Sequence, residues 1–169
     1  MNNNEGFTLA ETMIVMAIMA ILSVTLLAGT RSANDQVALS TSQATVAGIL
    51  NRAKSLALTK WNSGQSSNCG FGVSFDLAGN TAILFQDLPP SGVSCGSSDH
   101  LYVTGAGEEV QTLKIDSRLE LLSGDTTNVV FLAPYLKTIG AGTITLRIKG
   151  TTDKTAAVQV TEGGSVTTL

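Results

Sequence analysis

Residues Gly6–Gly29 have the sequence GFTLAETMIVMAIMAILSVTLLAG, and this stretch decides how the chain is organised. The 22 residues from Phe7 to Ala28 span about 33 Å as an α-helix, at 1.5 Å per residue. A bilayer's hydrocarbon core is about 30 Å thick, so the stretch predicts a membrane-spanning helix. Glu11 is its one charged residue, and at the centre of such a helix a carboxylate costs roughly 2.5–3.5 kcal/mol.

Three interpretations of this stretch compete. A secretory signal peptide is disfavoured because the stretch is long, no Lys or Arg precedes it and no small-x-small cleavage site follows at Ala28–Ala33. A plain membrane anchor fits the length. It accounts for Glu11 only as an acid near the positive end of the helix dipole, a contact of roughly 0.3–1 kcal/mol. The third interpretation gives Glu11 a function.

The residues Gly6-Phe7-Thr8-Leu9-Ala10-Glu11 resemble the type III signal of type IV pilins and type II secretion pseudopilins. The resemblance implies that residues 1–6 are a leader, which prepilin peptidase cuts off after Gly6. Phe7 would then be the N-methylated first residue of the mature chain. Glu11 would be the family's glutamate at the fifth mature position. No cofactor is implied.

The resemblance also implies how such a subunit assembles. It would sit in the inner membrane with its head outside the cytoplasm, in contact with lipid, the inner-membrane assembly platform and other pilin or pseudopilin subunits. In the filament, helices bundle at staggered heights, and Glu11 would pair with the Phe7 amine of a neighbour. Each charge is costly alone in an apolar interior, so wrong staggers are disfavoured.

The helix is predicted to continue beyond the membrane. Residues 7–29 would form its membrane-spanning half and residues 30–62 an amphipathic half, together a rod of roughly 80 Å. Apolar residues recur at steps of three and four, which predicts one face packed on a globular domain. They are Val46, Ile49, Leu50, Ala53, Leu56, Ala57 and Trp61.

Residues 63–169 are predicted to form a β-rich head, which makes the fold class α+β. Most segments there alternate apolar and polar residues, with turns at Gly79-Asn80, Gly124-Asp125 and Gly163-Gly164 between them. The predicted strands are Gly70–Asp76, Thr81–Gln86, His100–Thr104, Glu109–Ile115, Leu119–Leu122, Asn128–Leu132, Thr143–Lys149, Ala156–Thr161 and Ser165–Thr168.

The end of the stalk sharpens the resemblance. The run Leu50–Ala57, followed by a cysteine and a strand, is similar to the FimT and GspH branch of minor pilins and pseudopilins. Val130-Phe131 with Pro134 and the closing strands fit the same branch. This implies two small antiparallel sheets beside the stalk helix, and it favours a minor subunit.

The two cysteines, Cys69 and Cys95, both follow the apolar stretch. An even count in an exported domain indicates one disulfide, and two buried free thiols are the alternative. A bridge would remove about 3–4 kcal/mol of unfolded-chain entropy in the simple loop model. The spacing is not CxxC, so a structural bridge is favoured over a redox centre.

Other functions have weaker signals. His100 is the sole histidine and no GxSxG motif occurs, so an enzyme is not expected. Asp87 and Asp99 fall short of a calcium-loop signature, and we expect no metal. The net charge is -3 and the tail Val160–Leu169 has no Lys or Arg, which makes nucleic-acid binding unlikely. The sequence leaves two hypotheses: a structural filament subunit, or a filament-borne module that binds DNA, surfaces or a secreted substrate.

Overall fold

The computed structural model describes residues 8–62, 68–89, 95, 98–122, 124, 126–133 and 135–169, without the side chains of residues 27–31 and 61–62. One long helix, α1, extends over Leu9–Asn62. The chain divides into two compact units, Met1–Val37 and Ala38–Leu169. In the first unit the structure describes Thr8 and the helical residues that follow it. The second unit combines the rest of α1 with the strands.

Two antiparallel sheets make up the β-structure in the described part of the second unit. Sheet A has the strand order β3-β2-β1-β5-β6, and sheet B has the order β4-β7-β8-β9. The strands are β1 Gly70–Asp76, β2 Thr81–Asp87, β3 Glu109–Lys114, β4 Leu119–Leu122, β5 Asn128–Leu132, β6 Lys137–Ile139, β7 Gly142–Ile148, β8 Thr155–Val160 and β9 Val166–Thr168. The α+β expectation, with a helix followed by antiparallel sheets, is confirmed.

The core of the second unit lies where α1 meets both sheets. The predicted apolar face of the helix is buried there at Val46, Ile49, Leu50, Ala53 and Ala57, and Leu56 packs against the same cluster. Sheet A contributes alternate residues of β1, and sheet B contributes alternate residues of β7. Helix and sheets therefore form one hydrophobic cluster, as the periods of 3.6 and 2 in the sequence predict. Trp61, also predicted on this face, has no described side chain.

A second buried layer covers the other face of sheet A. Phe85 and Val130 are fully buried there, outside the cluster that touches the helix. The ring of Tyr102 packs on Phe85 with 5.6 Å between ring centroids. Gly72 makes this layer possible, because a Cβ at that position would lie 2.8 Å from the Phe85 ring and 2.7 Å from the Val129 carbonyl oxygen. The close approach of the Phe85 ring to the sheet thus requires glycine.

The two sheets are joined by the side chain of Asn80, in the turn between β1 and β2. Asn80 has a φ of 52°, in the left-handed region that Asn tolerates better than most residues. Its side-chain amide donates to the Leu119 carbonyl at 3.0 Å and its side-chain oxygen accepts from the Leu121 N–H at 3.1 Å. The turn of sheet A is therefore tied to β4 of sheet B.

One predicted strand is wrong and one was missed. His100–Thr104 has no strand pairing: His100 has a φ of 56°, and a turn begins at Thr104. The segment instead packs on sheet A through the ring of Tyr102, without forming strand hydrogen bonds. The missed strand is β6, in which the buried position holds the polar residue Thr138, so its three residues show no apolar alternation. The other strand boundaries agree to within one residue. Asp125, of the turn predicted at Gly124-Asp125, lies outside the described residues.

Candidate functional site

The start of α1 forms a capping box around Glu11. Thr8 occupies the N-cap, and its backbone N–H and hydroxyl both donate to Glu11 Oε2 at 2.9 Å. The Glu11 N–H in turn donates to the Thr8 hydroxyl oxygen at 3.3 Å. This reciprocal pattern satisfies backbone donors that a helix terminus otherwise leaves open. Glu11 is thus hydrogen-bonded within its own chain.

Beyond the cap, α1 presents an apolar surface on every side. The span Leu9–Leu26 has a mean hydropathy of 2.2 and is long and apolar enough to cross a membrane. Each described side chain in it is exposed in the isolated chain. The hydroxyls of Thr12, Ser23 and Thr25 donate to carbonyls three or four residues earlier, at 2.7–2.8 Å. These hydroxyl groups are therefore hydrogen-bonded inside the helix, which lowers the cost of placing them in an apolar solvent.

The predicted processing residues stand just before this region. Gly6 and Phe7 lie outside the described residues, so cleavage and methylation there remain predictions. The sequence predicted a helix that starts at Phe7. Because α1 starts at Leu9, Glu11 falls in its first turn. The T-x-x-E pattern of Thr8–Glu11 before an apolar run was the available signal for this cap, and the sequence reasoning missed it.

Comparison with known proteins agrees with this geometry. Residues 1–27 match the family model described as the prokaryotic N-terminal methylation motif. The fold is similar to the minor pseudopilin EpsH from the type 2 secretion system of Vibrio cholerae, with a TM-score of 0.52 and 16% sequence identity. The likeness covers 78% of this chain and 95% of the EpsH chain. The chain therefore carries a prokaryotic N-terminal methylation motif, and its fold is similar to that of a minor pseudopilin. No curated protein sequence matches it.

The β-rich head carries a polar cluster beside its disulfide bond. Cys69 and Cys95 are joined in the structure, and the Cys69 N–H donates to the Asp87 carbonyl at 2.8 Å. The Asp87 side chain is fully buried at the end of β2. Its two oxygens contact the Ser98 hydroxyl at 2.6 Å and His100 Nδ1 at 2.5 Å. The disulfide bond and the Asp87 carboxylate thus connect Cys95, Ser98 and His100 to sheet A.

Serine, histidine and aspartate meet in this cluster, but their order does not suit nucleophilic catalysis. A serine nucleophile needs its hydroxyl on the imidazole that removes its proton. Here the Asp87 carboxylate lies between the other two, and the Ser98 hydroxyl donates to Asp87. The arrangement therefore anchors a loop.

The two acids considered for a calcium loop have different partners. Asp87 is occupied by Ser98 and His100, whereas Asp99 Oδ1 accepts from the Leu101 N–H at 3.1 Å. Among the described residues, no group of three or more His, Cys, Asp or Glu side chains could hold a metal ion. The acids of this loop serve local hydrogen bonds.

Two basic residues, Arg147 in β7 and Lys149 directly after that strand, bind partners within the head. Arg147 pairs with Glu120, with 2.6 Å between Nη2 and Oε1, and Lys149 Nζ donates to the Ser117 carbonyl at 2.8 Å. A nucleic-acid footprint needs Lys and Arg free to meet phosphates. The contacts of Arg147 and Lys149 instead support the cross-strand structure of the sheet.

Proposed function

We propose that the chain is a structural subunit, a minor pilin or pseudopilin, of a type IV pilus or type II secretion pseudopilus. The observation that carries the proposal is the methylation-type signal at the start of a helix whose apolar surface is exposed on all sides. The same helix α1 forms part of the head's core. The similarity of the fold to a minor pseudopilin supports this function and gives the proposal no catalytic step.

Processing is the first step of the proposed mechanism. Prepilin peptidase cuts after Gly6 and N-methylates Phe7, so the mature chain starts one residue before the N-cap Thr8. Before assembly, the subunit resides in the inner membrane as a single-pass protein with its head in the periplasm or outside the cell. Lipid covers the exposed apolar span Leu9–Leu26 until other subunits replace it.

Glu11 has two states in this mechanism. In the membrane pool, the capping box supplies Oε2 with two donors, which lowers the cost of burying a carboxylate in lipid. In the described part of the chain Oε1 has no hydrogen bond, so it is open to a further donor. During assembly we expect the Phe7 ammonium of a neighbour to bind there. Only the correct stagger brings the two charges together, because a misplaced subunit leaves both unpaired.

The proposal is tested by mass spectrometry of the amino-terminal peptide of the protein isolated from its native membranes. A mature chain that begins at Phe7 with one added methyl group is expected. Replacing the residue before the cut, Gly6→Trp, should leave the chain at its full length, whereas the matched control Asn3→Trp should be processed normally. A wild-type chain that still begins at Met1 would contradict the proposal and make the protein a plain anchored domain.

A further inference from the structure

A groove of about 280 Å³ lies between α1 and β3 in the second unit. It is lined by Thr45, Gly48, Ile49, Arg52, Gln111 and Leu113. We propose that this groove receives an extended, acidic segment of a neighbouring filament subunit, which adds to sheet A as a strand beside β3. This inference rests on the proposed function, because the partner is another subunit of the same assembly.

The backbone of β3 is open to a further strand. β3 stands at one edge of sheet A and pairs with β2 alone. An edge strand presents unpaired N–H and C=O groups on its free side, which an extended peptide can bind by strand addition. Val110, within β3, is 43% exposed, and the two charged residues of β3, Glu109 and Lys114, stand at its two ends, so the charge is confined to the ends of this edge. The edge is thus suited to main-chain recognition.

The groove beside this edge has room for side chains of the added strand. Ile49 and Leu113 give it apolar walls, and both belong to or pack against the core cluster. A Cβ built on Gly48 would meet no atom within 4 Å, so the helix leaves a gap at this point. A strand that extends sheet A past β3 would direct alternate side chains toward α1, and an apolar one would fill this gap.

Arg52 sets the charge of the partner. Its Nη1 donates to the Gln111 side-chain oxygen at 2.5 Å, which holds the guanidinium at the groove against a neutral acceptor. Where the structure describes side chains, no carboxylate is in ion-pair contact with Arg52. A guanidinium has five donors arranged as a fork and binds a carboxylate through two of them. The added strand should therefore carry Asp or Glu where it passes Arg52.

A neighbouring subunit is the source that fits the location. The groove lies on α1, the helix whose amino-terminal span is proposed to bundle with other subunits. Bundling brings the heads of adjacent subunits side by side, so a segment of one head meets the groove of the next at high effective concentration. A weak strand contact then suffices, since the bundled helices already hold the two subunits together.

The test uses photo-cross-linking in the full-length protein in its native membranes, with benzoylphenylalanine at one position at a time. At Thr45, on the rim of the groove, we expect a cross-link to an acidic, extended segment of another pilin-like subunit, identified by sequencing the linked peptide. At Met16, in the apolar span, we expect a cross-link to a neighbouring helix, which tests the proposed function separately. Tyr135, 93% exposed and away from the groove, serves as the background position.

Two variants test the chemistry of the groove. Arg52→Glu should lower the Thr45 cross-link by about tenfold, the effect of losing a hydrogen-bonded charge contact. Lys137→Glu, the same charge reversal at the opposite edge of sheet A, should leave it unchanged. Gly48→Trp should also lower the cross-link because the indole fills the gap, whereas Gly48→Ala should not. Both groove variants replace exposed residues and leave the head's core intact.

The outcomes separate the two proposals. If Met16 links to other subunits but Thr45 links to none, or links equally well in Arg52→Glu, the groove is not a strand-binding site and the filament function stands. A Thr45 cross-link only to lipid or nucleic acid also overturns the inference. If neither position links to another subunit, the proposed function fails and the inference fails with it.

Discussion

Helix α1 contributes to both units of the chain, but its apolar side chains are exposed in the first unit, whereas its apolar face is buried in the second. In Leu9–Leu26 the apolar side chains are exposed, and the polar groups bond within one or two turns of the helix. From Ala38 onward the apolar face of α1 is buried, and polar contacts cross long stretches of sequence, such as Asn80 to Leu119. The head therefore covers the apolar face of α1 within the same chain. The amino-terminal span is stable only when lipid or other helices cover it.

The largest difference between the two parts of α1 is expected when a leucine in each is truncated to alanine. Leu50 is fully buried in the head, whereas Leu22 is 55% exposed in the apolar span. We expect Leu50→Ala to lower the free energy of unfolding of the head by about 2–5 kcal/mol, because it leaves a cavity. Leu22→Ala should leave that free energy within about 0.5 kcal/mol of the wild type. Denaturant titration in detergent micelles, followed by near-ultraviolet circular dichroism, measures both; equal losses would contradict the division.

The disulfide bond lies in the head alone, so its removal should affect the head and not the apolar span. Cys69 and Cys95 are 26 residues apart, and both lie in the second unit. The double variant Cys69→Ser/Cys95→Ser should lower the head's free energy of unfolding by about 2–4 kcal/mol, through the larger entropy of the uncrosslinked unfolded chain. Insertion into membranes, measured by alkaline carbonate extraction, should not change. A variant that unfolds at the same denaturant concentration as the wild type would show that the bridge contributes nothing.

The smallest effect concerns a single surface charge. The hydrogen bonds from Arg118 hold the pKa of Asp116 down at about 2, below its ordinary 3.8. Because the folded state lowers this pKa, its contribution to stability is present above pH 4 and is lost as the pH falls toward 2. Asp116→Asn should therefore flatten the fall in melting temperature between about pH 4 and pH 2, slightly, since the side chain is 32% exposed and solvent screens its charge. A melting curve that declines with acid as steeply in the variant as in the wild type would rule this out.

Much of the fold was predictable because its signals are local. The length and polarity of Gly6–Gly29 predicted the apolar span, and the spacing of Val46, Leu50 and Ala53 predicted the buried face of α1. Eight strands were predicted, most of them from alternation, since alternate residues of strands such as β1 and β7 lie in the core. His100–Thr104 was the exception. Its Tyr102 ring packs on Phe85 of sheet A, whereas Leu101 and Val103 are about half exposed, and alternation cannot distinguish such a segment from a strand.

The site was predictable in part. Glu11 was singled out by its cost in lipid, but its bond to Thr8 was missed, since where the cap falls depends on the residue at which the helix begins. The cluster of Asp87, Ser98 and His100 was also missed. Its members are joined by the path of the loop over sheet A, which sequence spacing does not reveal. The groove beside β3 depends on which strand ends the sheet, and that order is set by long-range pairing.

The most direct measurement is the incorporation of Glu11 variants into the filament, quantified beside the wild type in the same membranes. Glu11→Gln keeps the capping box but removes the charge, whereas Thr8→Ala removes the box and keeps the charge. The account predicts that Glu11→Gln inserts in the membrane normally and is incorporated at least tenfold less, as expected when a buried charge loses its partner. Thr8→Ala should be incorporated far better than Glu11→Gln. Normal incorporation of Glu11→Gln would show that Glu11 only caps the helix, and would contradict its pairing with the neighbour's Phe7 amine.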